Sequence, residues 1–345
     1  MVALKCYTFV KERKTMERKK VGVVCGGYSS EHEISLQSGI SVFKALDRAH
    51  WEVFLITLSR ESWTAKDDAQ NTYTVSKGDF SLQTSNAFIQ LDVIFNLVHG
   101  SMGENGQLAA LWELLEIPFS SCDSYNAGLT FNKRDCLSVL REWNIPTAKY
   151  YTLDQGDRVE TNTIIDRVGL PCFVKANRAG SSFGVFKVHE KTELIPTIEN
   201  AFKEDSQLII ESFLDGREVS VGVATIDNQV EVFPITEIIT DNDFFDFAAK
   251  YEGQSQEITP ASIPEDWKNT LIELSKKIYL KLGLKGVVRS EFIFVDDIPH
   301  LLEINSVPGM TPNSIIPQQV HALGMELSEF LTKLLIQAEQ HHKTS

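Results

Sequence analysis

The chain has 345 residues, 43% of them apolar and 23% charged, with a formal net charge of −14. That balance belongs to a soluble globular protein long enough for two or three domains, and its acidity argues against a nucleic-acid partner. The five cysteines are odd in number and widely spaced, with no C-x-x-C, which points to a reducing compartment, and no apolar run reaches the ~20 residues of a membrane helix.

The opening stretch, MVALKCYTFVKERKTMERKK, places its apolar part before its charges, the reverse of a signal peptide. Residues 1–15 are expected to be a disordered tail or a start-site artefact, with the first domain opening near Met16. VGVVCGG (21–27) reads as a strand ending in a glycine turn. A helix follows, with Ser30 and Glu33 fitting a capping box and Leu36, Ile40 and Phe43 on one face. Glu31 falls in its first turn, where favourable placement at the helix dipole would also explain it. GGYSS is not G-x-G-x-x-G, which counts against a dinucleotide site. WEVFLITL (51–58) is a second strand, and LDVIFNLVHG (91–100) is apolar enough to be covered on both faces. It runs into HGSMGENGQL, a glycine-rich loop at a strand's carboxyl end, the favoured ligand position in an open α/β sheet; His99 stands there. With a helix over GQLAALWELLEI and a short strand in IPFSSC, residues 16–120 read as one small doubly wound α/β domain.

Residues 123–143 look helical, with Lys133 near the start of a second piece. Residues 170–188 read as strand, Gly/Ser-rich loop, strand. The loop amides of 179–184 suit phosphate oxygens and Lys175 suits a point charge; a plain hairpin turn would explain the glycines but not a Lys ending PCFV. Residues 207–226 form two strands joined at Asp215-Gly216 and flanked by Glu211 and Glu218, either two solvated glutamates or the edge of an adenine site. Residues 236–264 are long and polar, the mark of a lid loop, with Lys250-Tyr251 at its middle. An amphipathic helix carries Trp267, Leu271, Leu274, Ile278 and Leu282 on one stripe. A hairpin, GVVRSEFIFV and PHLLEIN, turns at Asp296-Asp297. Arg289 and Glu291 face one side of its first strand, Glu303 and Asn305 one side of its second. Such a face is no ordinary core, because unpaired buried charge is too costly. Its oxygens are hard donors of the kind Mg²⁺ takes beside substrate phosphates, with an exposed salt-bridged strand pair as the other reading. A helix near Glu326–Gln340 closes the chain.

GGYSSEHEISLQSG, HGSMGENGQL, VKANRAGSSFGV, AAKYEG and LLEINSVPGMTPNSIIP occur in this order across residues 20–340. Together they give a chain that resembles the D-alanine–D-alanine ligases of the ATP-grasp superfamily. The resemblance implies an α/β fold, α+β in parts. The N-terminal domain would span 16–120, the central subdomain 121–210, and the C-terminal subdomain 211–345 with its lid at 236–264. ATP would lie between the last two, with Lys133 and Lys175 on its phosphates, Ser182 and Lys250 also in its site, Glu211 and Leu214 at the adenine and Glu218 at the ribose. Glu291, Glu303 and Asn305 would hold two Mg²⁺ (or Mn²⁺) ions. Glu31 would pair with the ammonium of the first D-alanine beside His99. Ser314 and Ile315 would receive the second, and Arg289 with the Gly309 N–H would stabilise the oxyanion. Tyr251 and Ser181 would hydrogen-bond with Glu31 and close the site. The implied reaction passes through a D-alanyl acyl phosphate to D-alanyl-D-alanine, in a cytoplasmic homodimer serving peptidoglycan synthesis.

Lys250-Tyr251, where ester-forming relatives place His, favours the dipeptide, with D-serine as second substrate left open. Another ATP-grasp carboxylate–amine ligase would share Lys175, Glu303 and Asn305 but need not share Glu31, His99, Tyr251 and Ser314. An inactive nucleotide-binding regulator should have lost Arg289 or a metal carboxylate. Two positions depart from the family pattern: Glu291 stands where Asp is usual, and Ser212 where Lys is frequent.

Overall fold

The computed structural model describes residues 18–86, 88–180, 183–240 and 255–344. The first unit runs β1 (Lys19–Gly26), α1 (His32–Ala45), β2 (Trp51–Leu58), β3 (Trp63–Lys66), β4 (Thr72–Val75), β5 (Leu82–Gln83), β6 (Phe88–Ile89), β7 (Val93–Asn96) and α2 (Gln107–Leu114). Its sheet has the order β6-β5-β4-β3-β2-β1-β7. The parallel part is narrower than a fully doubly wound sheet: β1 pairs in parallel with β2 and β7, and an antiparallel meander extends the far edge. The apolar runs of β1 and β7 are buried because the sheet is covered on both faces there.

Helix α1 also differs from expectation. It begins at His32 with Glu31 in the N-cap position and no side-chain cap bond. Its inward face is Ser35, Ser38, Gly39 and Val42, while Ile40 is 43% exposed. The reason is close approach: a methyl at Gly39 would sit 2.5 Å from Cys25 Sγ on β1. The IPFSSC segment makes one parallel bridge, Phe119 to Ile94, rather than a strand.

Two helices, α3 (Ser124–Phe131) and α4 (Lys133–Glu142), lead into the second unit. Asn132 separates them and accepts from the Asp135 N–H, which fixes Lys133 in the first turn of α4. The second sheet, order β10-β9-β11-β8, contains β8 (Tyr150–Asp154), β9 (Cys172–Ala176), β10 (Val185–Val188) and β11 (Gln207–Ser212), with α5 (Thr161–Val168) and α6 (Lys191–Ala201) over one face. The third contains β12 (Arg217–Ile226), β13 (Gln229–Val232), β14 (Thr236–Thr240), β15 (Ser255–Ile258), β16 (Val287–Val295) and β17 (Ile298–Asn305). Three helices complete it: α7 (Glu265–Leu282), α8 (Ile315–Ala322) and α9 (Leu327–Thr344).

β11 and β12 do not pair with each other. They belong to different sheets, so the expected boundary at 210/211 moves to residues 213–216. The expected 236–264 loop is narrower as well. TEIIT and SQEI pair antiparallel as β14 and β15, leaving 241–254, outside the described residues, between them. The first and third units share one core, in which Val21, Val93 and Phe95 meet Phe233, Ile316 and the α9 residues Phe330 and Leu334. The second sheet packs Leu153, Val174, Leu208 and Ile210 against α5 and α6 in a core of its own.

Candidate active site

The β16–β17 hairpin forms a charged floor. Its register sets Arg289 opposite Asn305 and Glu291 opposite Glu303, with a bulge immediately after Glu291. Arg289 Nη2 lies 2.6 Å from Glu291 Oε1. From α4, Lys133 Nζ reaches Glu303 Oε2 at 3.1 Å and donates to the Ala179 carbonyl at 2.6 Å. Two cavities open on this floor, and Lys133, Ala179, Gly180 and Glu303 line both.

The larger, about 630 Å³, is lined by Glu31, His99, Arg289, Asn305, Gly309, Ser314 and Ile315, from the first and third units. Glu31 is buried, and glycines make its place. A methyl at Gly100 would sit 2.8 Å from Glu31 Oε2, and one at Gly180 would sit 2.7 Å from each carboxylate oxygen. Gly100, at φ +70°, also adopts a backbone that a side chain would strain. His99 is buried, with Nδ1 2.8 Å from the Val307 carbonyl and Nε2 3.2 Å from Ser38 Oγ. The carbonyl can only accept, so Nδ1 carries the proton and Nε2 accepts. Burial pushes its pKa down to about 4, and the ring is neutral near pH 7. Ser38 Oγ in turn accepts from the Met310 N–H at 3.3 Å, so His99 and α1 together orient the loop after β17. Ser314 stands at the N-cap position of α8 without a side-chain cap bond; its Oγ accepts instead from the N–H of Thr311, ahead of the helix, at 3.1 Å, and a methyl at Gly309 would lie 2.9 Å from that oxygen.

The smaller cavity, about 100 Å³, lies where the second and third sheets meet. Lys175, Glu211, Leu214, Glu218, Glu291 and Phe173 line it. Lys175 Nζ pairs with Glu211 Oε2 at 2.8 Å. Burial works against the Lys175 charge, but the Glu211 carboxylate outweighs it and holds the ammonium above its usual range. Glu211 Oε1 is buried and has no hydrogen-bond partner among the described residues. A buried acceptor of this kind fits a donor supplied by a ligand. Ser212 Oγ accepts from the Lys149 N–H at 3.1 Å.

Ser181, Ser182, Lys250 and Tyr251 lie outside the described residues. All the other expected site residues line one cavity or both. Reasoning from sequence missed Glu104 and Glu257, which also face the larger cavity; Glu257, on β15, accepts from Gln318 Nε2 at 2.6 Å. Glu104 stood in plain view as the single acid of HGSMGENG. Among the described residues there is no group of three or more His, Cys, Asp or Glu placed for a metal. Glu291, Glu303 and the Asn305 amide oxygen still form a hard-oxygen set of the type Mg²⁺ takes together with phosphate.

Two antiparallel sheets meeting over a lysine- and carboxylate-lined pocket, beside an α/β unit that completes a second cavity, define the ATP-grasp class of ligases. The family model described as "D-ala D-ala ligase N-terminus" matches residues 20–122, and "D-ala D-ala ligase C-terminus" matches residues 139–336. The chain belongs to the D-alanine–D-alanine ligase family. The D-alanine–D-alanine ligase of Flavobacterium johnsoniae is 49% identical over 317 residues, 92% of this chain and 98% of that one. The VanG D-Ala:D-Ser ligase of Enterococcus faecalis superimposes with a TM-score of 0.83 at 30% identity, covering 93% of this chain and 100% of that one. The Bacillus anthracis D-alanine–D-alanine ligase complexed with ATP gives 0.77 at 26% identity, covering 94% and 99%.

Proposed function

We propose that the protein joins two D-alanines into D-alanyl-D-alanine at the expense of ATP, releasing ADP and phosphate, for peptidoglycan synthesis. The observation that carries this reading is the shared wall. Lys133, Ala179, Gly180 and Glu303 border both cavities, so a phosphoryl group bound in the smaller one abuts a carboxylate bound in the larger. ATP lies along the seam around the smaller cavity, with Lys133 and Lys175 on its phosphates, Glu211 and Leu214 at the adenine and Glu218 at the ribose. Phosphoryl transfer demands mainly positioning and charge neutralisation, and the lysines supply both. Ser182 and Lys250 belong to the same site. Glu291, Glu303 and Asn305 would hold two Mg²⁺ (or Mn²⁺) ions, which would neutralise charge on the phosphates.

In the larger cavity Glu31 binds the ammonium of the first D-alanine, beside neutral His99. Its carboxylate takes the γ-phosphoryl group, and the resulting acyl phosphate presents a good leaving group to the amine of the second D-alanine. Arg289 and the Gly309 N–H stabilise the tetrahedral oxyanion. Ser314 and Ile315 receive the second substrate's carboxylate. Tyr251 and Ser181 hydrogen-bond with Glu31 and shield the acyl phosphate from water. The working form is a cytoplasmic homodimer. Among the described residues, no helix is long and apolar enough to cross a membrane.

Incubation with ATP, Mg²⁺ and D-alanine should release phosphate and yield D-alanyl-D-alanine, whereas L-alanine should not. A folded protein inert in this assay overturns the reading. A parallel arm pairing D-alanine with D-serine measures second-substrate choice, which the likeness to the VanG ligase makes worth testing.

A further inference from the structure

Glu257 has no role in the scheme above, yet it lines the larger cavity together with Asn313, Ser314 and Gln318. It lies on β15, opposite Ile238 of β14. Ile238 in turn packs against Ile315, the first residue of α8. The edge of the third sheet and the start of α8 therefore meet beside Ser314 and Ile315, the residues assigned to the second D-alanine.

Two consecutive glutamines of α8 bond to this sheet. Gln319 is fully buried. Its Oε1 accepts from the Gly222 N–H at 3.1 Å, and its Nε2 donates to the Ser220 carbonyl and to Thr236 Oγ1, each at 3.0 Å. Those bonds seat the helix on β12 and β14. The loop ahead of the helix is held differently, because Pro312 and Asn313 are exposed and packing constrains them less. Gln318 Nε2 donates to Glu257 Oε2 at 2.6 Å and to the Asn313 carbonyl at 2.9 Å. A carbonyl can only accept, so the amide nitrogen faces it, and the carboxylate oxygen takes the other hydrogen of the same NH₂ group. One side chain thus links β15 to the residue just before Ser314. We propose that Glu257 is a positioning residue for the second D-alanine: through Gln318 it fixes the Asn313 peptide, and with it Ser314, where the second carboxylate is received. Without Glu257 the Gln318 amide can turn away from the carbonyl, and an exposed loop regains conformational freedom that substrate binding must then remove.

The inference rests on the ligase reading, and one set of assays separates the two. Wild-type phosphate release with D-alanine is measured first; its absence overturns the ligase reading and this inference together. Initial rates over a wide range of D-alanine then resolve KM for the first and for the second D-alanine. Gln318→Ala cuts the link and should raise KM for the second about tenfold, while KM for the first and ATP affinity stay near wild type. Glu257→Ala should raise the same KM by a smaller factor, because the Gln318 amide can still reach Asn313. Glu257→Gln keeps an acceptor oxygen and should recover the wild-type value. The double variant Glu257→Ala/Gln318→Ala should be no worse than Gln318→Ala, since both side chains act along one path. Effects that multiply in the double variant would show that Glu257 acts by another route and would overturn the inference. So would a folded Glu257→Ala with wild-type KM for the second D-alanine, or with equal rises in both KM values.

Discussion

The two cavities share a wall but are built on different rules. On the side assigned to the nucleotide, charges come as cation–carboxylate pairs, Lys175 with Glu211 and, on the shared wall, Lys133 with Glu303; Arg289, on the other side, pairs across the floor with Glu291. On the proposed reading, phosphates and metal ions would enter on the nucleotide side by exchanging partners with groups already in place. On the amino-acid side, Glu31 and Glu104 are held against glycine backbone, and the space itself does the selecting. The nucleotide side should therefore fail when a charge is deleted, and the amino-acid side when a single methyl is added.

Four experiments probe that contrast. The largest effect is expected for Arg289→Ala, which should lower turnover by about 10²–10³-fold while ATP still binds; parallel loss of turnover and ATP binding would make the Arg structural. Next is Lys175→Met, which strands the buried Glu211 carboxylate. It should lower unfolding stability by about 3–5 kcal/mol and weaken ATP binding, as denaturant titration and nucleotide calorimetry would show. Third, Gly180→Ala intrudes on both Glu31 oxygens and should raise the D-alanine KM by roughly 10- to 100-fold, more than it weakens ATP binding in the cavity on the other side of the same wall. A change in ATP affinity instead would blur the division of labour. The smallest effect is a pH slope. The folded pKa of His99, about 4, lies below its unfolded value near 6.5, so the unfolded state binds more protons between them. Its contribution to stability is intact above pH 6.5 and declines as pH falls toward about 4. A neutral replacement such as His99→Gln should flatten that part of the stability–pH curve.

How much of this was legible in the sequence depends on the kind of signal. The alternation in VVRSEFIFV and LLEIN put Arg289, Glu291, Glu303 and Asn305 on the faces they occupy, because strand geometry has a fixed period of two. The buried parallel strands announced themselves as unbroken apolar runs. Other features carried no such signal. The inward face of α1 is Ser35, Ser38 and Gly39, chosen for close approach rather than apolarity. β11 and β12 are neighbours in sequence, which ordinarily means pairing, yet they part into separate sheets. Strands β3 to β6 are short and partly polar. Glu104 sits in a glycine-rich loop where a lone acid looks like turn chemistry, and only the fold brings it to Glu31.

The crossing between β11 and β12 has a mechanical consequence. Phe213–Gly216 is all that links the two strands, and Gly216 lies so close against the Phe294 carbonyl that a methyl has no room there. On one side of this seam is a sheet that packs mainly on its own helices, with Ile209 alone of its fully buried residues reaching the third sheet's core; on the other is a sheet fused to the amino-terminal unit. On the proposed reading, a nucleotide spanning from Glu211 to Glu218 would staple the halves together. In hydrogen-exchange mass spectrometry, amides of 150–212 should open as an independent block without nucleotide, and exchange in step with the rest of the chain once nucleotide bridges the seam.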